Sequence, residues 1–308
     1  MVNGTRIALL GDPHLGRRFV NGVPMHRRGD RENMVAAAFK ASFKQIDGAA
    51  HICMGDIFDR PVVPPHIVAL AADTYKDAIA RHPGVTFILL RGNHDATRDM
   101  EGVTSFDLLR RIIEPLGVVV VHEFADTILL HDGPSLGVCP WSPSNTSTEI
   151  AEGLDRCDAA FGHWDVVNPS SDTNLVPRNL KTGIIVTGHD HKPRQVDNVL
   201  VVGSMQPFSN GEDPEGIMYR TVTLAELEAI SDTSQLCLRV VLKEGETLPD
   251  DLDALQIQVM HEGEEASDHM EVGFQGLDME ATWRDVMAEH GVQGELSVTL
   301  FNRYRNRG

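Results

Sequence analysis

Along the first two hundred residues, short unbroken apolar runs alternate with stretches where apolar side chains recur every three or four positions. The first pattern predicts buried strands and the second amphipathic helices. Residues 6–11 read as a strand. Met34, Val35, Ala38, Phe39 and Phe43 then fall at helical spacing and predict a helix over 31–46. A strand over 51–54, an Ala-rich helix over 65–81, a strand over 85–90 and a helix over 103–113 follow. From there the pattern turns β-rich, with runs at 118–121, 127–130, 136–139, 159–161, 183–187 and 199–202. A βαβα opening that finishes in hairpin-like strands predicts an α/β fold, with two sheets packed face to face and helices outside.

Past Gly211-Glu212-Asp213-Pro214 the composition shifts. Strands are expected at 236–242, 255–260 and 296–301, a helix at about 279–290, and a polar loop over 262–268. The chain therefore divides into a main domain, residues 1–225, and a small acidic α+β region, residues 226–308.

Charge sharpens that division. The 308 residues carry a net charge of −18, of which −4 falls on residues 1–210 and −14 on residues 211–308. An acidic final third does not wrap a polyanion unaided, whereas the near-balanced first part remains open to a phosphate-bearing substrate. Cys53, Cys139, Cys157 and Cys237 are too scattered for a disulfide scaffold or a thiolate zinc site. No apolar run reaches the roughly 18–20 residues needed to span a bilayer. These features lead us to expect a soluble cytoplasmic protein that does not engage membranes.

The polar chemistry falls at the ends of the apolar runs. Asp12-Pro13-His14, Gly55-Asp56-Ile57-Phe58-Asp59, Gly92-Asn93-His94-Asp95, Gly162-His163 and Gly188-His189-Asp190-His191 each follow a predicted strand. Ligands of α/β sheets sit outside the carboxyl ends of strands, so the five loops can converge on one site. Asp12 and His14 are two apart, as are His189 and His191, and such pairs point to one side of extended chain. The set offers only oxygen and imidazole nitrogen, which suits manganese, iron or zinc. It has too many donors for one tetrahedral ion and fits two ions roughly 3.5–4 Å apart. Five of the fourteen histidines lie in these motifs. The others are expected in ordinary core or surface roles.

In this order the motifs DPH, GDIFD, GNHD, GH and GHDH resemble the calcineurin-like metallophosphoesterase family, over about residues 5–225. Asp12-Pro13-His14-Leu15-Gly16 and the Gly203-Ser204-Met205-Gln206-Pro207 loop with Gly211-Glu212 are similar to SbcD-type DNA-repair exonucleases. Pro140-Trp141 and Gly162-His163-Trp164 look closer still to the recombination endonuclease subunits of T-even-like phages. The resemblance implies a four-layer αββα sandwich with a C-terminal cap, and two divalent ions, Mn2+ first, with Mg2+, Fe2+ or Zn2+ as substitutes. It assigns Asp12, His14 and His191 to one ion, Asn93, His163 and His189 to the other, and Asp56 as the bridge. A hydroxide shared by the ions would attack phosphorus in line. His94 is the candidate proton donor to the leaving oxygen, or else orients phosphate. Asp59 and Asp95 are expected to support His94 and the neighbouring loops by hydrogen bonds.

The nuclease resemblance implies DNA ends as substrate, an SMC-like ATPase of SbcC type as partner, and pairing of two copies through the helices near 65–81 and 103–113. Arg17, Arg18, Lys192 and Arg194 flank the motifs and suit DNA phosphates, as do Arg27, Arg28 and Arg31 further on. The low aromatic content, 6%, offers no base-stacking platform, so sequence-specific readout is not expected. Two other readings fit the same motifs: a phosphatase or small-molecule phosphodiesterase, and a DNA-end-binding subunit without turnover.

Overall fold

The computed structural model describes residues 1–97, 100, 102–154, 156–168 and 173–263. The chain opens with β1 (Ile7–Leu10), α1 (Asp30–Ser42), β2 (Ala50–Cys53), α2 (Pro65–Arg81), β3 (Thr86–Leu90), α3 (Ser105–Ile113) and β4 (Val119–Val121). Each helix has a local reason to start where it does. Gly29 turns into the left-handed region ahead of α1, Pro65 supplies a preset φ at the start of α2, and Thr104 with Asp107 forms a reciprocal capping box on α3. The four strands form a parallel sheet in the order β1-β2-β3-β4, with Leu10, Cys53 and Leu89 level across it. That register brings the loops after β1, β2 and β3 out at one edge.

Alternation along the strands divides the core. Cys53, Phe87 and Leu89 face α1–α3, where Phe39, Phe43, Tyr75, Phe106 and Leu109 close the first cluster. Ile52, Met54, Ile88 and Leu90 face the other way, onto Leu136, Val138, Phe161 and Val186 of a second sheet. That sheet comprises β5 (Asp126–Leu129), β6 (Ser135–Cys139), β7 (Ala159–Gly162), β8 (Ile185–Thr187), β9 (Arg194–Val196) and β10 (Val199–Val201), with α4 (Ser147–Gly153) before β7. Its order is β5-β6-β7-β8-β10-β9. Its outer face is covered by α4 and by Trp164, Val176 and Leu180, which complete the fourth layer.

The hairpin-like reading of this half needs correction. Only β5–β6 and β9–β10 are antiparallel; β6–β7, β7–β8 and β8–β10 are parallel. The long connections 140–158 and 163–184 carry the chain back to start each new strand from the same edge. As a result Gly162 and Thr187 also end level, beside the first sheet's loops.

A third sheet, β11-β12-β13, is parallel throughout and built from β11 (Tyr219–Thr223), β12 (Cys237–Leu242) and β13 (Gln256–His261), with α5 (Leu224–Glu228) after β11. It draws strands from both sides of residue 225, and the compact unit that holds all three sheets runs from Met1 to Glu264. It is joined to the first sheet's side through Ile257 N–H to Gly22 O (2.7 Å), Gln256 Nε2 to Asn21 O (2.9 Å), and apolar contact of Tyr219, Cys237 and Leu255 with Met34. The expected helix at 279–290 and strand at 296–301 lie outside the described residues. No described helix is long and apolar enough to cross a membrane.

One buried histidine belongs to this scaffold alone. His51 on β2 is 2% exposed, its ring 4.4 Å from that of Phe43 and 5.9 Å from that of Phe87, with Nδ1 unpartnered. Burial pushes it down from 6.5 to about 4. Between those values the unfolded chain holds a proton that the folded one refuses, so stability is complete above pH 6.5 and falls as the pH drops through the window. The loss amounts to about 3 kcal/mol by pH 4. Thermal melts across pH 4–7 are expected to show a flatter acid limb for His51→Leu than for the wild type. Parallel limbs would rule His51 out as a source of acid sensitivity.

Candidate metal centre

The level strand ends are stitched together before any side chain is considered. Met54 N–H bonds Leu10 O (2.9 Å), His14 N–H bonds Asp56 O (2.9 Å), Gly188 N–H bonds Gly162 O (3.0 Å), and Met205 N–H bonds Asp12 O (3.2 Å). His14, Asp56 and His189 all adopt positive φ, at 47°, 48° and 70°. Non-glycine residues take that conformation at a cost and hold it where the surroundings demand it. Two glycines make the approach possible. A Cβ on Gly92 would lie 2.1 Å from Asp56 Oδ1, and one on Gly55, at φ 116°, would lie 2.3 Å from His163 Nδ1.

Two donor clusters with no residue in common result, Asp12, His14 and His191 in one and Asp56, His163 and His189 in the other; a third grouping, His14, Asp59 and His94, overlaps the first through His14. Asn93 joins the second, its Oδ1 3.0 Å from His163 Nε2 and 2.9 Å from His189 Nδ1. Asp56 Oδ2 faces both clusters, 3.7 Å from His14 Nε2 and 3.5 Å from His163 Nε2. Its other oxygen accepts the His94 N–H (2.8 Å). All seven residues named from the sequence as ligands are therefore brought to one place.

Imidazole orientation shows what the arrangement fits. His163 Nδ1–H donates to Met54 O (2.9 Å), which leaves the Nε2 lone pair directed at Asn93 and Asp56. His14 Nε2 and His191 Nε2 face each other at 2.9 Å, and His163 Nε2 and His189 Nδ1 at 3.2 Å. Asp12 Oδ1 is buried with no hydrogen-bond partner. Imidazole nitrogens and an unpartnered carboxylate oxygen converging at these distances offer a cation its donors. The residues fit divalent metal.

The carboxylates report the same demand. Burial, and then the neighbouring Asp56 charge, drives both Asp12 and Asp95 well above the usual carboxylate range. Burial opposes ionisation of Asp56 too, but His163, His14 and His94 outweigh it and hold that carboxyl below its usual range. Burial holds His14 well below the ordinary histidine value against the pull of Asp56. For His189, the burial penalty is overcome by Asp165, which raises it.

The remaining sequence candidates fall around this core. His94 Nδ1–H donates to Asp59 O (2.7 Å), and its ring stands edge-on to His14 with centroids 4.8 Å apart. The Asp59 carboxylate lies 3.8 Å from His14 Nδ1 and 3.5 Å from Arg17 Nη1. Asp95 accepts the N–H groups of Ile57, Phe58 and Gly92 and so ties the second and third motif loops together. Arg17 also lies over the Phe208 ring, whose edge meets His14. Arg18 is exposed beside Glu32, Lys192 is exposed, and Arg194 pairs with Asp190. Arg31 is not available to phosphate. It is 2% exposed, bonded to Gln206 Oε1 and Pro207 O (3.0 Å each) and packed on Phe19.

Two carboxylates were given no site role in the sequence reading, although Glu212 was quoted there as part of the loop after the last histidine pair. Asp165 Oδ1 lies 3.0 Å from His189 Nε2, and Glu212 Oε1 lies 3.2 Å from His191 Nδ1. Each occupies the ring nitrogen that points away from the centre. The available signal was thin: Asp165 stands two residues beyond His163, and Glu212 lies in the loop after the last histidine pair.

No curated protein matches the chain. Residues 5–193, however, match the family model described as calcineurin-like phosphoesterase. The match begins just before β1 and ends just past His191, so it takes in both donor clusters and every strand that positions them. With well over half of the sequence covered, the chain belongs to the calcineurin-like phosphoesterases, metal-dependent hydrolases of phosphate esters.

Proposed function

We propose that this phosphoesterase is a two-metal phosphodiesterase acting on DNA, the nuclease subunit of an SbcCD-type end-processing or recombination complex in the cytoplasm. The observation that carries the two-metal reading is Asp56 Oδ2, which faces both donor clusters at once. Asp12, His14 and His191 would hold one ion, and Asn93, His163 and His189 the other, with manganese the ion of choice. Bound divalent ions supply Lewis-acid polarisation of the phosphoryl group and acidify the attacking water. The chain's own part is to place a proton. With Nδ1–H fixed on Asp59 O, His94 as the imidazolium would give its Nε2 proton to the leaving 3′ oxygen as the P–O bond breaks, and be left neutral. Arg17, held between Asp59 and Phe208 beside His14, suits a phosphate of the strand.

The choice of DNA rests on the DPHLG opening and the GSMQP loop. That loop forms part of the site, since Ser204 N–H bonds His191 O (3.1 Å) and Met205 N–H bonds Asp12 O. A buried Arg31 holds Gln206 and Pro207 in place. For cleavage, we expect Mn2+-dependent degradation of end-labelled duplex and cutting of single-stranded DNA, with a phosphomonoester such as p-nitrophenyl phosphate a poor substrate. Asp56→Ala and His189→Ala should lose metal and activity together. His94→Ala should keep metal while turnover falls by about 10²–10⁴. A wild type that cleaves only the monoester would sink the nuclease reading, and near-normal DNA cleavage by His94→Ala would remove that residue from the mechanism.

Two copies are proposed to pair through the α2–α3 region. Val68 is buried, with Leu70 and Ile79 against the same core, so the apolar area open to a second copy comes from Leu108 and Ile112 of α3, 48% and 47% exposed. Sedimentation at micromolar concentration is expected to give a dimer that Ile112→Glu converts to a monomer; a monomeric wild type would count decisively against pairing.

The SMC-like ATPase is proposed to dock on the acidic C-terminal region and to supply most of the affinity for DNA ends. Truncation after Glu264 leaves the three sheets whole. It is expected to abolish co-purification of the ATPase while preserving metal-dependent hydrolysis. A truncated chain that still carries the ATPase would place the docking surface outside residues 265–308.

A further inference from the structure

We propose that Glu212 and Asp165 are positioning residues that divide the centre between them, each setting the affinity of one cation position, Glu212 through His191 and Asp165 through His189. The proposal rests on the two-metal reading above. Each histidine is gripped from outside by an acceptor and presents its other nitrogen inward. His191 has Nδ1 3.2 Å from Glu212 Oε1 and Nε2 2.9 Å from His14 Nε2. His189 has Nε2 3.0 Å from Asp165 Oδ1 and Nδ1 2.9 Å from Asn93 Oδ1. A carboxylate only accepts, so in the neutral ring that binds metal the nitrogen facing it carries the hydrogen and the inward nitrogen carries the lone pair. The two rings are thereby set in opposite tautomers, Nδ1–H on His191 and Nε2–H on His189.

The two pairs have separate anchors, although Asp56 faces both clusters and His189 N–H bonds Asp12 Oδ2 (2.9 Å). Glu212 ends the 3-10 turn Asn210–Glu212, where its carboxylate also accepts Phe208 N–H (2.8 Å) and Ser209 Oγ–H (3.2 Å). The next residue, Asp213, accepts the N–H groups of Ile217, Met218 and Tyr219 at the start of β11. Glu212 is thus anchored to the third sheet. Asp165 sits in the loop after β7, its backbone paired with Asn174 and Val176, and the Asn174 side chain bonds His163 O (3.1 Å). The two anchors share no residue. Disturbing one should leave the other cation position as it was, and only the His191 position answers to the third sheet.

Mn2+ titration of the metal-stripped full-length protein tests this, by calorimetry and by electron paramagnetic resonance of the spin-coupled ion pair. His191→Ala and His189→Ala identify which binding step belongs to which position. Glu212→Gln is expected to weaken the His191 step by about 10–100-fold and spare the other, and Asp165→Asn the reverse. The double variant should lose the coupled-pair signal. Thermal melts without metal check that each variant is folded. If Glu212→Gln fails that check, Asp165→Asn decides by itself, because its anchor lies outside the 206–213 segment. A single carboxylate variant that weakens both steps equally, or moves neither, overturns the proposal. Wild-type protein binding fewer than two Mn2+ would instead sink the two-metal reading beneath it.

Discussion

Three carboxylates, those of Asp12, Asp56 and Asp95, are packed where water does not reach, and the rest of the molecule is arranged to make that tolerable. Like charges in such a place repel one another and lose their hydration. Asp95 is compensated by three backbone N–H groups, Asp12 by the N–H of His189, and Asp56 by the N–H of His94 together with the imidazoles around it. Those compensations leave one oxygen of Asp12 without a partner and one of Asp56 facing two histidine rings. The unmet remainder is what a pair of cations would satisfy. Folding and metal binding are accordingly linked in this protein, since any ligand bound by the native state alone stabilises it.

Holding such a cluster takes rigid edges rather than long loops. The parallel registers end β1, β2 and β3 level in one sheet and β7 and β8 level in the other, and the apolar layer between the sheets fixes their separation. Each motif then needs only a residue or two to reach the centre. The left-handed conformations of His14, Asp56 and His189 are the cost of so short a reach, borne by residue types that tolerate it better than most. Gly55 and Gly92 serve the same end by letting backbone approach side chains closer than any Cβ would permit.

The third sheet is part of this construction. Arg31 lies buried between the first motif's flank and the loop after the last histidine pair, bonded to Gln206 and Pro207, packed on Phe19 and 5.9 Å from the Tyr219 ring centroid of β11. A buried guanidinium is tolerated only with acceptors in place, so the 206–207 loop and β11 are fixed relative to α1. Through Phe208 and Glu212 the same segment touches His14 and His191. What binds the third sheet therefore has a short physical route to one side of the centre.

Much of this was legible in the sequence because it depends on local order. Periodicity placed α2 at Pro65–Arg81 and found each of the strands that precede a motif, and polar residues breaking off apolar runs marked the ends from which the site is built. Not legible were α4 and α5, too brief for a helical period to register, and β9 and β11, whose Arg, Gln and Thr positions leave no unbroken apolar run. Nor was strand direction in the second sheet, since an apolar run looks the same whichever way its neighbour points. Tertiary structure alone decided that Arg31 is interior while Arg17 stands beside the centre, and that Asp165 and Glu212 grip His189 and His191. Residue types and spacing along the chain determined which donors exist. Which groups stand behind them was set by pairings across distant loops, and those follow from how the sheets pack.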